Sequence, residues 1–183
     1  MRDKVVLVNE ADESLGEMEK IEAHKKNKLH RAFSVFVFSK NKNNNKWQLL
    51  LQKRALNKYH CGGLWTNTCC SHPQPGESVL DAGLSRLQEE LGLEGVDLQD
   101  AGSFIYQADF SNGLSEHEFD HVLVGVCDED IKFQINPDEV CDWRWCDIDD
   151  LNAWLDEGGD VGLNHSLTPW LRPALRLALD FLD

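Results

Sequence analysis

Two segments of the chain bring groups capable of proton transfer or metal ligation to close spacing. In residues 65–73 (WTNTCCSHP), an extended backbone alternates side chains, so Cys70 and His72 share one face while Cys69 and Ser71 share the other. A cysteine and a histidine so placed serve as a metal pair or as an acid/base pair, whereas a lone buried cysteine is usually inert. In residues 116–118 (EHE), Glu116 and Glu118 share a strand face. Such a pair is either simply solvated or, joined by three histidines, completes an octahedral metal site. His24 and His30 flank a basic stretch, and scattered histidines are more often core or surface residues than ligands.

The elements that must position these groups are legible in outline. Residues 79–91 form a helix: Ser78 and Asp81 have capping-box spacing, and Gly92 sits where a left-handed C-terminal glycine belongs. Leu80, Leu84, Leu87 and Leu91 make a stripe along it, with Glu90 at the stripe's edge beside Arg86 and Gly83. A carboxylate there suits a metal–phosphate site, and it equally suits a surface Arg86–Glu90 ion pair one turn apart. Strand-like runs occur at 5–8, 33–38, 47–52, 102–108, 118–126 and 140–146, with the asparagine-rich 40–46 as a hairpin loop. Further helices are expected at 148–156 and within 169–182, where Thr168 and Pro169 form a start signal and Pro173 should break or kink the first turns. Strands interspersed with a few helices, without strict alternation, predict an α+β fold around a mixed sheet.

The 183 residues suit one compact domain spanning 1–183, and 42% hydrophobic with 27% charged residues is a globular balance. The net charge of −14 argues against nucleic-acid binding. Its distribution is uneven: residues 1–58 hold 13 of the 18 Lys and Arg against 7 of the 32 acids. That is either a solvated surface of mixed charge or a cationic third for a small anionic ligand. The apolar run at 5–8 is too short for a signal peptide and nothing approaches a membrane span, so the expected location is the cytoplasm, without membrane or nucleic-acid partners. Reduced thiols are expected for the six cysteines, none of which has the spacing of a structural zinc site. A monomer is expected.

Gly76 and Glu77 lead into a helix ending RLQEELGL, which resembles the Nudix box, whose helix carries carboxylates for the metal of a diphosphate substrate. Ser85 and Arg86 stand where the box has Arg-Glu, which removes an acid that diphosphate hydrolysis uses. Around this degenerate helix lie, in order, residues 22–33 (EAHKKNKLHRAF), 65–73, Glu116-His117-Glu118 and Thr168-Pro169-Trp170. Together they resemble type I isopentenyl diphosphate isomerase over nearly the whole chain. The resemblance implies that His24, His30, His72, Glu116 and Glu118 ligate one metal (zinc, manganese or magnesium). It implies Cys70 and Glu118 as acid/base residues with Tyr106 beside Glu118. Glu90, with the Cys70 carbonyl, would hold a magnesium ion on the diphosphate. Lys20, Arg54, Lys58 and Arg86 match the cations that bind the diphosphate, and Trp170 matches the aromatic facing the alkene. His60, His117, His121 and His165 match no role and are assigned to structure or surface.

The activity so implied is conversion of isopentenyl to dimethylallyl diphosphate, through a tertiary carbocation, in isoprenoid biosynthesis. Proton-transfer groups on opposite faces of the alkene are what that reaction needs. A Nudix-type diphosphate hydrolase and a non-catalytic diphosphate-binding protein are the competing readings. Neither accounts for three histidines, two carboxylates and the Thr-Pro-Trp segment together.

Overall fold

The computed structural model describes residues 3–58, 61–156 and 167–182, and His60 and His165 lie outside them. The strands are β1 (Lys4–Val8), β2 (Ser14–Glu19), β3 (His30–Lys40), β4 (Trp47–Arg54), β5 (Trp65–Thr66), β6 (Cys69–Ser71), β7 (Leu98–Asp109), β8 (Ser115–Val126) and β9 (Val140–Asp147). The helices are α1 (Lys20–Lys25), α2 (Val79–Leu91), α3 (Ile148–Asp156) and α4 (Leu171–Asp180). The sheet is mixed. β3 runs parallel to β8 and antiparallel to β1, β4 and β6, while β8 pairs with β7 and β4 with β9.

A sheet covered on both faces needs central strands that are apolar throughout. Residues 33–38, Ser34 excepted, meet that need: Phe33, Val35 and Val37 pack with Ala82, Leu87 and Leu91 of α2, whereas Phe36 and Phe38 pack with Leu151 of α3 and Leu171, Ala174 and Leu175 of α4. On that second face the polarity changes along the parallel pair. His30 lies opposite Glu118 and Ala32 opposite Asp120, after which Ser34 faces Val122 and Phe36 faces Val124. One end of the face is therefore a polar floor and the other is core.

Helix α2 spans the predicted residues, with the Ser78 hydroxyl accepting from the Asp81 amide at 3.1 Å and Gly92 in the left-handed region. Its buried face differs from the leucine stripe. Leu80 and Leu84 are exposed, and Ala82, Gly83, Leu87, Glu90 and Leu91 are buried. At 100° per residue the face is turned by roughly 70° from the stripe, toward Glu90. Gly83 accounts for the turn, because a Cβ there would stand 2.7 Å from Leu123 Cδ1. The helix packs on the sheet through its smallest residues. Pro173 neither breaks nor kinks α4: it is the third helical residue, where its missing N–H is one of the four that no helix satisfies internally. Thr168 likewise precedes the cap, which is Trp170. β5, β6 and α1 were outside the sequence expectation, being too brief for periodicity to register, and β2 was outside it because its residues are mostly exposed and carry no apolar alternation.

Candidate active site

The β1–β2 hairpin returns the chain to α1, which starts where the Glu19 carboxylate accepts from the Ile21 and Glu22 amides at 3.0 and 2.7 Å. Its last turn carries His24, and the chain then enters β3 at His30. β8 supplies Glu116 and Glu118, and His72 follows β6. These five residues converge. Ligand atoms of His24, His30, His72 and Glu116 all lie within 4.8 Å of one another. His72 Nε2 is 2.8 Å from Glu118 Oε1 and 3.2 Å from His30 Nε2, and His24 Nδ1 is 3.3 Å from Glu116 Oε2.

The donor set fits a divalent metal. His30 Nδ1 donates to the Lys28 carbonyl at 2.7 Å and His24 Nδ1 to the Ser115 carbonyl at 3.0 Å, which puts the ring proton on Nδ1 and makes each Nε2 the ligating atom. Two ligands each about 2.1 Å from one ion are separated by about 3 Å, close to the spacing of the His30 and His72 nitrogens. Burial, reinforced by the neighbouring imidazoles, lowers His24 to about 4. Burial also lowers His72, against the pull of Glu118. Neutral imidazoles are the ligating form. Burial would raise Glu118, but hydrogen bonds with His30 and His72 outweigh it and hold the carboxyl well below its ordinary value. Burial and the charge of Glu118 raise Glu116 well above its own.

Beside this cluster opens a cavity of about 450 Å³ whose wall includes Cys70, Tyr106, Glu118 and Trp170. Cys69 turns into the core, fully buried, while Cys70 lines the cavity, as the alternation of β6 requires. Arg54 Nη1 is 3.6 Å from Cys70 Sγ. Burial pushes the Cys70 thiol up to about 12 despite that guanidinium. Tyr106, opposite Glu118 in the β7–β8 register, donates its hydroxyl to Glu118 Oε2 at 2.6 Å. Burial and the Glu118 charge raise the phenol well above its usual value. Trp170 is held by Thr168, whose amide donates to the Trp65 carbonyl at 3.0 Å and whose hydroxyl meets that of Thr66 at 2.8 Å. The Trp170 ring stands 6.3 Å from Tyr106 and 5.6 Å from the Arg54 guanidinium carbon.

Lys20, Arg54, Lys58 and Arg86 all line the same cavity, with Glu90 among them. Arg86 donates to Glu90 Oε1 at 3.1 and 2.6 Å, and Gln52 Nε2 donates to Glu90 Oε2 at 3.2 Å. The Arg86–Glu90 pair is thus an ion pair one turn apart and also part of the cavity wall, not a solvated surface contact. Glu139 escaped the sequence reading; it pairs with Lys58 and lies 3.2 Å from Arg86. Burial opposes its ionisation, but Lys58 and Arg86 prevail and lower it. Lys20 is lowered by burial and by the repulsion of Lys58, the mark of cations crowded around an anion's place.

Gln52, Ser34 and Asp120 were also missed. Ser34 interrupts the apolar run 33–38, Gln52 follows the leucines at 49–51, and Asp120 alternates with Glu116 and Glu118, which were the available signals. Ser34 donates to Asp120 Oδ2 at 2.7 Å. His117 and His121 lie away from the cluster, the latter between Asp12 and Asp100 at 3.0 and 3.2 Å.

Comparison with known proteins agrees with this geometry. The NUDIX domain family profile matches residues 28–171. An isopentenyl-diphosphate Delta-isomerase of Photobacterium profundum is 41% identical over 184 residues, covering 100% of this chain and 98% of its own. The isopentenyl-diphosphate Delta-isomerase of Pectobacterium atrosepticum is 51% identical, covering 81% of this chain and 78% of its own. Among solved structures, DR0079 from Deinococcus radiodurans superposes with a TM-score of 0.71 at 19% identity, covering 95% of this chain and 98% of its own, a likeness of fold alone. The relatives carry the family assignment and the solved structure carries the fold. The chain belongs to the Nudix family and, within it, to the isopentenyl-diphosphate Delta-isomerases.

Proposed function

We propose that this chain, as an isopentenyl-diphosphate Delta-isomerase, converts isopentenyl diphosphate to dimethylallyl diphosphate with the side chains that line the 450 Å³ cavity. The observation that carries the reading is one cavity whose wall holds four cations together with a thiol, a carboxylate–phenol pair and an indole. Lys20, Arg54, Lys58 and Arg86 bind the diphosphate, which anchors the short hydrocarbon chain beside Cys70 and Glu118. A divalent ion held by His24, His30, His72, Glu116 and Glu118 would supply charge that tunes the Glu118 carboxyl. Glu90 is the carboxylate available for magnesium on the diphosphate; zinc, manganese and magnesium all suit the histidine site.

The reaction adds a proton to the terminal alkene carbon and removes one from the carbon two bonds away, so substrate and product have the same atoms and charge. Tyr106 and Glu118 deliver the first proton. Cys70 takes the second, and Arg54 beside its sulfur favours the thiolate that this step requires. The tertiary cation between these steps faces Trp170, whose ring contributes about 2 kcal/mol when desolvated. Trp170 is 3% exposed, which keeps water from the cation as well. Residues 1–183 acting as one domain, in the cytoplasm and as a monomer, complete the reading. Its support is a hydrophobic core on each face of one sheet, six free cysteines, and no helix among the described residues able to cross a membrane.

Proton NMR of the protein with isopentenyl diphosphate and magnesium in heavy water tests it. Deuterated dimethylallyl diphosphate is the expected product. Release of phosphate or pyrophosphate would move the protein to the diphosphate hydrolases. Unaltered substrate in the presence of magnesium and then zinc or manganese would leave a binding protein.

A further inference from the structure

A row of polar side chains lies buried behind the cavity. Thr66 and Asn67 are 0% exposed, and Thr168, brought beside them, is 3% exposed. The Asn67 amide donates both of its hydrogens, to the Val35 carbonyl at 3.1 Å and to the Cys69 carbonyl at 2.7 Å. That fixes its orientation, because turning the amide over would set its oxygen against two carbonyl oxygens. Asn67 Oδ1 therefore accepts, and the Thr66 hydroxyl donates to it at 2.8 Å. A hydroxyl has a single hydrogen. With that of Thr66 committed to Asn67, the 2.8 Å contact between the Thr66 and Thr168 hydroxyls has one polarity: Thr168 donates and Thr66 accepts. The chain runs one way, from Thr168 through Thr66 to Asn67.

Its two ends meet the groups of the reaction. The Thr168 carbonyl accepts from the Leu171 amide at 3.3 Å, closing a turn over Pro169 and Trp170 in which the proline ring locks its own φ. Few torsions are left between Thr168 and the indole. The Trp65 carbonyl holds the Thr168 amide, and the Thr168 hydroxyl adds a second point of attachment, which removes the swing that one point allows. At the other end, Asn67 grips the Cys69 carbonyl of β6, the strand that carries Cys70, and the Val35 carbonyl of β3. Replacing both partners of a buried hydrogen bond by apolar groups of the same shape is nearly neutral for stability, so a need for stability does not account for the row.

We infer that Thr66 and Thr168 are positioning residues for the isomerase reaction: their one-way hydrogen-bond chain to Asn67 fixes the Trp170 indole relative to the strand that carries Cys70. The attraction between a cation and a ring requires the charge to stand over the ring face. An indole free to swing loses that stabilisation, while the diphosphate binds as before. The inference rests on the isomerase reading and adds the groups that hold its indole in place.

The test is a steady-state study of T168V, T66V, T168S, W170L and the double variant T168V/W170L, with bound metal and melting temperature measured for each. Valine keeps the shape of threonine and removes the hydroxyl. T168V is expected to lower kcat about fivefold, the scale of one lost hydrogen bond, with KM for isopentenyl diphosphate within about twofold. T66V cuts the same chain and should lower kcat by a similar factor. Its melting temperature should fall further, because it strands both the Asn67 oxygen and the Thr168 hydroxyl, whereas T168V strands one acceptor. T168S, which keeps the hydroxyl, should recover most of the rate. In the W170L background T168V should change kcat by less than about twofold, since no indole is left to position. Full kcat in T168V would overturn the inference. So would losses that multiply in the double variant, kcat losses that follow melting temperature from T168V to T66V, or T168S as slow as T168V. Wild-type protein that converts no isopentenyl diphosphate would instead sink the isomerase reading itself.

Discussion

Cys69 and Cys70 are chemically identical and adjacent, yet the pleat of β6 sends one to the core and the other to the cavity. Cys70→Ala, or Glu118→Gln on the opposite side, should lower turnover at least ~100-fold with circular dichroism unchanged. Cys69→Ala should leave kcat within about threefold and cost about 1 kcal/mol of stability, read from urea unfolding. Equal losses for the two cysteines would remove the thiol from the mechanism. Trp170 invites a similar test. If its ring stabilises the cation by about 2 kcal/mol, Trp170→Leu lowers kcat about 30-fold while KM, set by the diphosphate, stays nearly constant. An unaltered rate would confine Trp170 to packing.

Helix α2 places a carboxylate at the cavity by giving up side-chain volume. Gly83 lets the helix sit close to Val35, Leu98 and Leu123, and the same rotation buries Glu90 within reach of Arg86 and Gln52. Gly83→Ala pushes a methyl group against Leu123 and Leu98 at 2.7 and 3.1 Å, so the helix must move outward. The expected cost is about 1–3 kcal/mol in urea unfolding, accompanied by a weaker response to magnesium as Glu90 shifts. Unchanged stability would mean that the two leucines rotate aside without helix movement.

Across the whole molecule, the buried histidine–glutamate cluster ties α1 to β3, β6 and β8. His24 is lowered from 6.5 to about 4, so between those pH values the unfolded chain binds the extra proton and stability rises with pH. Glu116 and Asp120, raised by burial, act with the opposite sign in an overlapping range, so the contribution of His24 is read as a difference. Relative to His24→Asn, metal-free wild-type protein should lose stability as pH falls from 6.5 toward 4, by ~1.4 kcal/mol per pH unit at most. A constant difference would show that His24 titrates normally. At pH 7 a divalent ion should raise the melting temperature of the wild-type protein and do so much less for His24→Asn.

Caps, apolar runs and residue types were set by the sequence alone. Ser78 and Gly92 bound α2 because their effects are local, and the apolar run at 33–38 marked a strand, whose burial on both faces the structure supplied. The histidines, glutamates and basic residues of the site were legible as an inventory through their resemblance to a known family. Their grouping was not derivable from spacing, since His24 meets the Ser115 carbonyl 91 residues away and Lys58 meets Glu139 across 81. Periodicity states which residues share a face; the shape of the opposing surface selects which face is buried, as Gly83 does for α2. Tertiary structure alone therefore turned Glu90 into the cavity, set Glu139 among the cations and joined Ser34 to Asp120. Polar groups that belong to a cavity look, in sequence, like interruptions of a strand until the neighbouring strands stand beside them.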